Sequence, residues 1–98
     1  MAKREIIWSP RAKKDRIQIL EFWVENNKSR VYSRKLNNLF KEAVNFLSEY
    51  PTVGKLTDDK QTRIKIVRDY LIFYEIHKSA IVILTIFDSR RNPENLNL

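Results

Sequence analysis

Apolar residues recur at two periods along this chain, and the change of period divides it into elements. Up to residue 50 the main period is helical. Ala12, Ile19, Leu20 and Trp23 fall on one side of a first helix predicted over residues 10–25, with Ile17, Phe22 and Val24 widening the stripe. Ser9-Pro10 starts that helix, because serine caps exposed N–H groups and proline suits the first helical position. Asn26-Asn27-Lys28-Ser29 reads as a turn, with Ser29 able to cap the second helix. In that helix Leu36, Leu39, Phe40, Ala43, Phe46, Leu47 and Tyr50 recur every three or four residues, until Pro51 ends it. Two amphipathic helices joined by so short a link form an antiparallel hairpin.

Outside the hairpin the pattern is that of strands. Arg4-Glu5-Ile6-Ile7-Trp8 is rich in β-branched and aromatic residues. Residues 51–62 read as a polar loop whose Gly54 is expected to need a positive φ. Arg63-Ile64-Lys65-Ile66-Val67 alternates basic and apolar, so Ile64 and Ile66 are expected to face a core while Arg63 and Lys65 face outward. A turn at Arg68-Asp69 leads to a strand over residues 70–76. His77-Lys78-Ser79 then joins it to an interior strand over residues 80–87, apolar on both faces. The tail, residues 88–98, is polar. The order strand, helix, helix, strand, strand, strand predicts one α+β domain over residues 1–98, a helical hairpin on a mainly antiparallel four-stranded sheet.

Composition narrows the chemistry. The chain has 98 residues, 19 basic against 12 acidic groups, a net charge of +7, one glycine, one histidine and no cysteine. The missing cysteines remove disulfide scaffolds, thiol chemistry and cysteine-built zinc sites, and no other metal site or cofactor motif is evident. One glycine cannot build a phosphate loop. No apolar run approaches the roughly 18 residues of a membrane span, and no signal sequence is evident, so a reducing cytoplasm is the expected compartment. His77 in a turn reads as a solvated residue, and Asp58-Asp59 as a loop-capping pair. The basic excess fits nucleic acid or an acidic protein surface. Arg63, Lys65, Arg90 and Arg91 are the cations that could converge on one sheet face, as an anion-binding patch or as charge that protects an edge. Tyr70, Phe73 and Tyr74 are aromatic candidates for base stacking or for the core.

Several stretches together resemble the RelE/ParE superfamily of type II toxin–antitoxin systems. They are Ser9-Pro10-Arg11-Ala12, the helix exit Phe46-Leu47-Ser48-Glu49-Tyr50-Pro51-Thr52-Val53-Gly54, and the hairpin Tyr70-Leu71-Ile72-Phe73-Tyr74-Glu75-Ile76 with Ile81-Val82-Ile83-Leu84. Asp88-Ser89-Arg90-Arg91-Asn92-Pro93-Glu94 completes the set. In RelE-like ribosome-dependent mRNA endonucleases, basic groups activate a 2′-hydroxyl and steady charge on the phosphate. The resemblance puts Arg63, Lys65 and Arg90 at such positions. It puts Leu71 and Leu96 where that branch has an arginine and a tyrosine. The long hairpin and the pair Arg90-Arg91 are similar instead to the ParE-like branch, which is associated with poisoning DNA gyrase. Arg16 stands at a usually leucine position of the first helix, so either it snorkels at the core edge or the helix is rotated slightly.

The resemblance implies a cytoplasmic bacterial toxin of a plasmid-stabilisation type, without cofactor, that inhibits growth through gyrase and forms a hetero-oligomer with its antitoxin. The antitoxin would offer a disordered, acidic–hydrophobic C-terminal segment. Target binding falls on Arg63, Lys65, Arg90 and Arg91, and antitoxin binding on Leu20, Trp23, Phe40 and Arg90. Two other functions compete with this one. The first is a nuclease built on Arg63, Lys65, Arg90 and a tyrosine, Tyr70 or Tyr74. The second is a degenerate toxin that only binds its antitoxin.

Overall fold

A computed structural model describes residues 3–91. The order is β1 (Glu5–Trp8), α1 (Pro10–Asn27), α2 (Val31–Glu49), a 3₁₀ turn (Pro51–Val53), β2 (Lys55–Leu56), β3 (Thr62–Val67), β4 (Tyr70–Ile76) and β5 (Ala80–Asp88). The strands make one sheet in the order β1-β5-β4-β3-β2. Among the described residues only the β1–β5 pair is parallel. The sheet thus has five strands rather than four, because Lys55 and Leu56 of the predicted loop pair with Ile64 and Arg63. β5 is interior, as its two-sided apolar run implies.

Ser9 starts α1 as expected. Its hydroxyl oxygen accepts the Ala12 N–H at 3.0 Å, and Pro10 occupies the first turn. Ser29 accepts the Val31 N–H at 3.2 Å ahead of α2. The hairpin packs on one face of the sheet. There Ala12, Leu36, Phe40 and Leu47 meet Tyr70, Ile72, Tyr74, Ile81 and Ile83 in the buried core. Arg16 snorkels. Its Nε donates to Asn37 Oδ1 at 2.9 Å, its guanidinium lies 5.0 Å from the Trp8 ring, and partial burial lowers its pKa.

Two local expectations are corrected. Gly54 has φ −72°, so it is not there for a left-handed backbone. It is there for space: a Cβ would sit 2.3 Å from the Tyr74 hydroxyl oxygen and 2.9 Å from the Ile64 carbonyl oxygen. The facing of β3 is also reversed. Residues paired across the ladder share a face, and Arg63, Lys65 and Val67 pair with Tyr74, Ile72 and Tyr70 of the core. Arg63 and Lys65 therefore lie on the helix side. Ile64 and Ile66 lie on the opposite face, with Ile66 66% exposed. The reason is the two-residue turn at Arg68-Asp69. It forces Val67 and Tyr70 onto one face, and both are buried.

Candidate target- and partner-binding surface

The four candidate cations do not converge. Arg63 pairs with Tyr74 near one end of β3, whereas Arg90 lies beside Asp69 in the turn at the other end. Four residues of strand, about 13 Å, separate Arg63 from Val67 at that turn.

Arg63 braces the loop after α2. Its Nη1 donates to the carbonyls of Thr52 at 3.2 Å and Gly54 at 2.8 Å. Tyr74 holds the same loop from below. Its hydroxyl donates to the Pro51 carbonyl at 2.7 Å and accepts the Gly54 N–H at 2.9 Å. Burial raises the Tyr74 pKa, so the phenol stays protonated and serves as a donor. The Lys65 ammonium lies 5.8 Å from the ring of Phe46, a contact between a cation and an aromatic face.

Arg90 is the second brace. Its Nε and Nη2 form a fork on Asp88 at 2.9 and 2.8 Å, and its guanidinium lies 5.7 Å from the Trp23 ring. The fork holds the Asp88 carboxyl below its usual range and raises Arg90 further. Ser89 pins the same turn through its N–H and hydroxyl to the Asp69 carbonyl, at 2.8 and 2.7 Å. Trp23 in turn donates Nε1–H to the Tyr70 hydroxyl at 2.7 Å, and packs edge-on against Phe22 and Tyr32. Burial raises the Tyr70 pKa as well.

Of the expected antitoxin contacts, Leu20 and Trp23 are half-buried and Arg90 is exposed. Phe40 is fully buried and edge-on to Tyr70, so its ring belongs to the core and offers no contact surface. Phe73 and Tyr74 are likewise buried, which removes them as base-stacking platforms. Arg91 is exposed and lines a groove of about 550 Å³ between α1 and β5, with Arg11, Gln18, Phe22 and Phe87. Positions 92–98, including Leu96, lie outside the described residues.

One organising residue escaped the sequence reading. Asp15 reaches from α1 to the stretch of β5 that β1 does not cover. It accepts from the Thr85 hydroxyl and, at 3.2 Å, from the Ile86 N–H. Its signal was present: Asp15 falls on the stripe of Ala12 and Ile19, an acid on a core-facing line. In the loop before β3, Asp59 caps as expected. It accepts N–H bonds from Thr62 and Gln61 and hydroxyl bonds from Thr57 and Thr62, which hold its carboxyl far below its usual range. His77 closes its turn through N–H to the Ala80 carbonyl at 2.8 Å. Among the described residues no three His, Asp or Glu side chains cluster as metal ligands, and no helix is long and apolar enough to cross a membrane.

A helical hairpin on one face of such a sheet, with braced cations at both ends, defines a small basic α+β domain. A chain described as "Chromosomal ParDE TA system from P. aeruginosa" shares this fold with a TM-score of 0.73 at 17% identity, over 86% of this chain and 94% of that one. No curated protein matches in sequence. The family model for the ParE toxin of the parDE type II toxin–antitoxin system matches residues 6–93, and the chain belongs to that family. Membership of a toxin–antitoxin pair makes an antitoxin its partner.

Proposed function

We propose that this chain inhibits growth by binding DNA gyrase rather than by cutting RNA, and that a cognate antitoxin neutralises it through an acidic–hydrophobic segment. One observation carries the choice. Of the groups a nuclease would use, Arg63, Tyr74 and Arg90 are committed to holding the chain's own loops, which leaves only Lys65 of the set. A base or phosphate clamp must be open to substrate, and these groups have partners already. Of the four candidate cations, Arg91, exposed at the groove beside α1, and Lys65, half-buried on Phe46, are left to meet a target.

The test is induction of the chain alone in a bacterial host, following DNA and protein synthesis separately. DNA synthesis should fall first, with a damage response. Arrest of translation ahead of DNA synthesis would return the nuclease reading. Arg91→Ala is expected to weaken growth inhibition while leaving the melting temperature unchanged.

A further inference from the structure

Two bonds set the register of the helical hairpin. Arg16 Nε donates to Asn37 Oδ1 at 2.9 Å, and the Ser33 hydroxyl donates to the Leu20 carbonyl at 3.0 Å. Each step along α1 therefore matches a step back along α2, which brings Lys13 beside Lys41 and Trp23 beside Arg30. Lys13 and Arg16 lie three apart on α1, and Arg30, Arg34, Asn37 and Lys41 recur every three or four residues on α2. Each set shares one helical face, so cations line both sides of the seam between the helices. Lys13, Arg30, Arg34 and Lys41 are exposed, and among the described residues none of them has an ion pair. The acids of the hairpin are turned away or outnumbered. Asp15 bonds to β5, Glu49 pairs with Lys3 at 3.1 Å, and Glu21 and Glu25 stand one row further out on α1. Glu42 reaches one end of the seam, in a groove it shares with Arg16 and Lys41.

We propose that the outer seam of the hairpin binds the phosphate backbone of double-stranded DNA, without reading its sequence. The length of the patch chooses a polyanion. Arg30 and Lys41 stand about 16 Å apart along α2. Cations spread over that length outreach a single phosphate group, whereas a duplex offers a charge about every 1.7 Å of its axis. The side chains choose nucleic acid over protein, and duplex over single strand. Protein interfaces are poor in lysine and rich in aromatic rings. Single strands are held by bases stacked on such rings. The exposed rings of the described residues lie elsewhere: Phe22 at the groove between α1 and β5, and Phe46 and Tyr50 together on the β3 side of α2. The seam instead carries Asn37. Its Oδ1 accepts from Arg16, which leaves its amide N–H groups to donate to phosphate oxygens.

The test is fluorescence anisotropy of the full chain with a labelled duplex of roughly 20 base pairs and arbitrary sequence, between about 50 and about 200 mM salt. Four phosphate contacts give a slope of about −3.6 in log affinity against log salt, or about 150-fold weaker binding across that range. The triple variant Lys13→Ala, Arg34→Ala, Lys41→Ala should reduce the slope to about −0.9, and the loss across the range to about fourfold. These side chains hold no ion pair among the described residues, so its melting temperature should stand. A control triple variant, Lys35→Ala, Lys55→Ala, Lys78→Ala, removes the same charge from exposed positions off the seam, and should keep the slope at about −3.6. No binding to the duplex at low salt, a slope unchanged in the seam variant, or an equal fall in the control would overturn the proposal. Tighter binding of a single strand of the same length would make this a site for bases, and equal binding of polyglutamate a site for acidic protein; either result also overturns it. Binding by the isolated chain does not depend on the target proposed above. Should induction leave DNA synthesis untouched, the proposed function fails while the binding result stands on its own.

Discussion

The close approach of Gly54 to Tyr74 gives the sharpest prediction. Gly54→Ala would place a methyl carbon 2.3 Å from Tyr74 Oη, 2.7 Å from Tyr74 Cε1 and 2.9 Å from the Ile64 carbonyl oxygen. All three are far inside van der Waals contact. Tyr74 is fully buried and cannot swing aside. Either its hydroxyl leaves Pro51 and Gly54, or the backbone of the loop moves away from Arg63. Losing two hydrogen bonds costs about 2 kcal/mol, and overpacking a buried site about 1 kcal/mol or more. A total of about 3 kcal/mol lowers the melting temperature of a domain this size by roughly 12–24 °C. Tyr74→Phe keeps the ring but strands the Pro51 carbonyl and the Gly54 N–H, at a cost of about 2 kcal/mol.

The double variant separates these causes. Without the hydroxyl the 2.3 Å contact disappears, while those to the ring carbon and to the Ile64 carbonyl remain. The double variant loses those two hydrogen bonds only once, so it should be less destabilised than the sum of the singles by about 2 kcal/mol. Thermal and urea melts monitored by circular dichroism measure all three variants. Strict additivity, or a Gly54→Ala cost below about 1 kcal/mol, would refute the reasoning. A functional arm accompanies it. Well below its melting temperature, Tyr74→Phe should arrest growth as the unmodified chain does. A folded but inactive Tyr74→Phe would make that hydroxyl part of the chemistry.

The other expected outcomes concern the two braces and the guarded edge. Arg90→Ala breaks an exposed fork and a ring contact, each worth about 0.5–1 kcal/mol, so its melting temperature should fall by several degrees. Asp15→Ala strands the Thr85 hydroxyl and the Ile86 N–H, at about 2 kcal/mol or more, and unguards the β5 edge. It should melt earlier and show dimers by light scattering. Asp59 and Asp88 titrate below their unfolded value of about 3.9. Their contribution is therefore complete at neutral pH and is lost as pH falls through their lowered folded values. The melting temperature should decline below about pH 4, less steeply in Asp59→Asn.

The hairpin was legible because a helix writes its buried face every third or fourth residue, and Leu36, Phe40, Ala43 and Leu47 are all buried. β3 was not, because alternation says that two faces differ without saying which is inside. The long stems of Arg63 and Lys65 can lie on the helix side with their heads on a carbonyl or an aromatic ring, while Ile66 stays in water. The turn held the missing information. Residues flanking a two-residue turn share a face, and Val67 and Tyr70 are both apolar, so the parity of Arg63 is set by them. The same step changes which residues matter. Read by type, the basic residues looked like the site. Placed in the fold, Arg63 and Arg90 hold loops, and Phe40 is core. That Ile66 stands in water while Arg63 and Lys65 lie on the helix side is visible only once the facing of β3 is known.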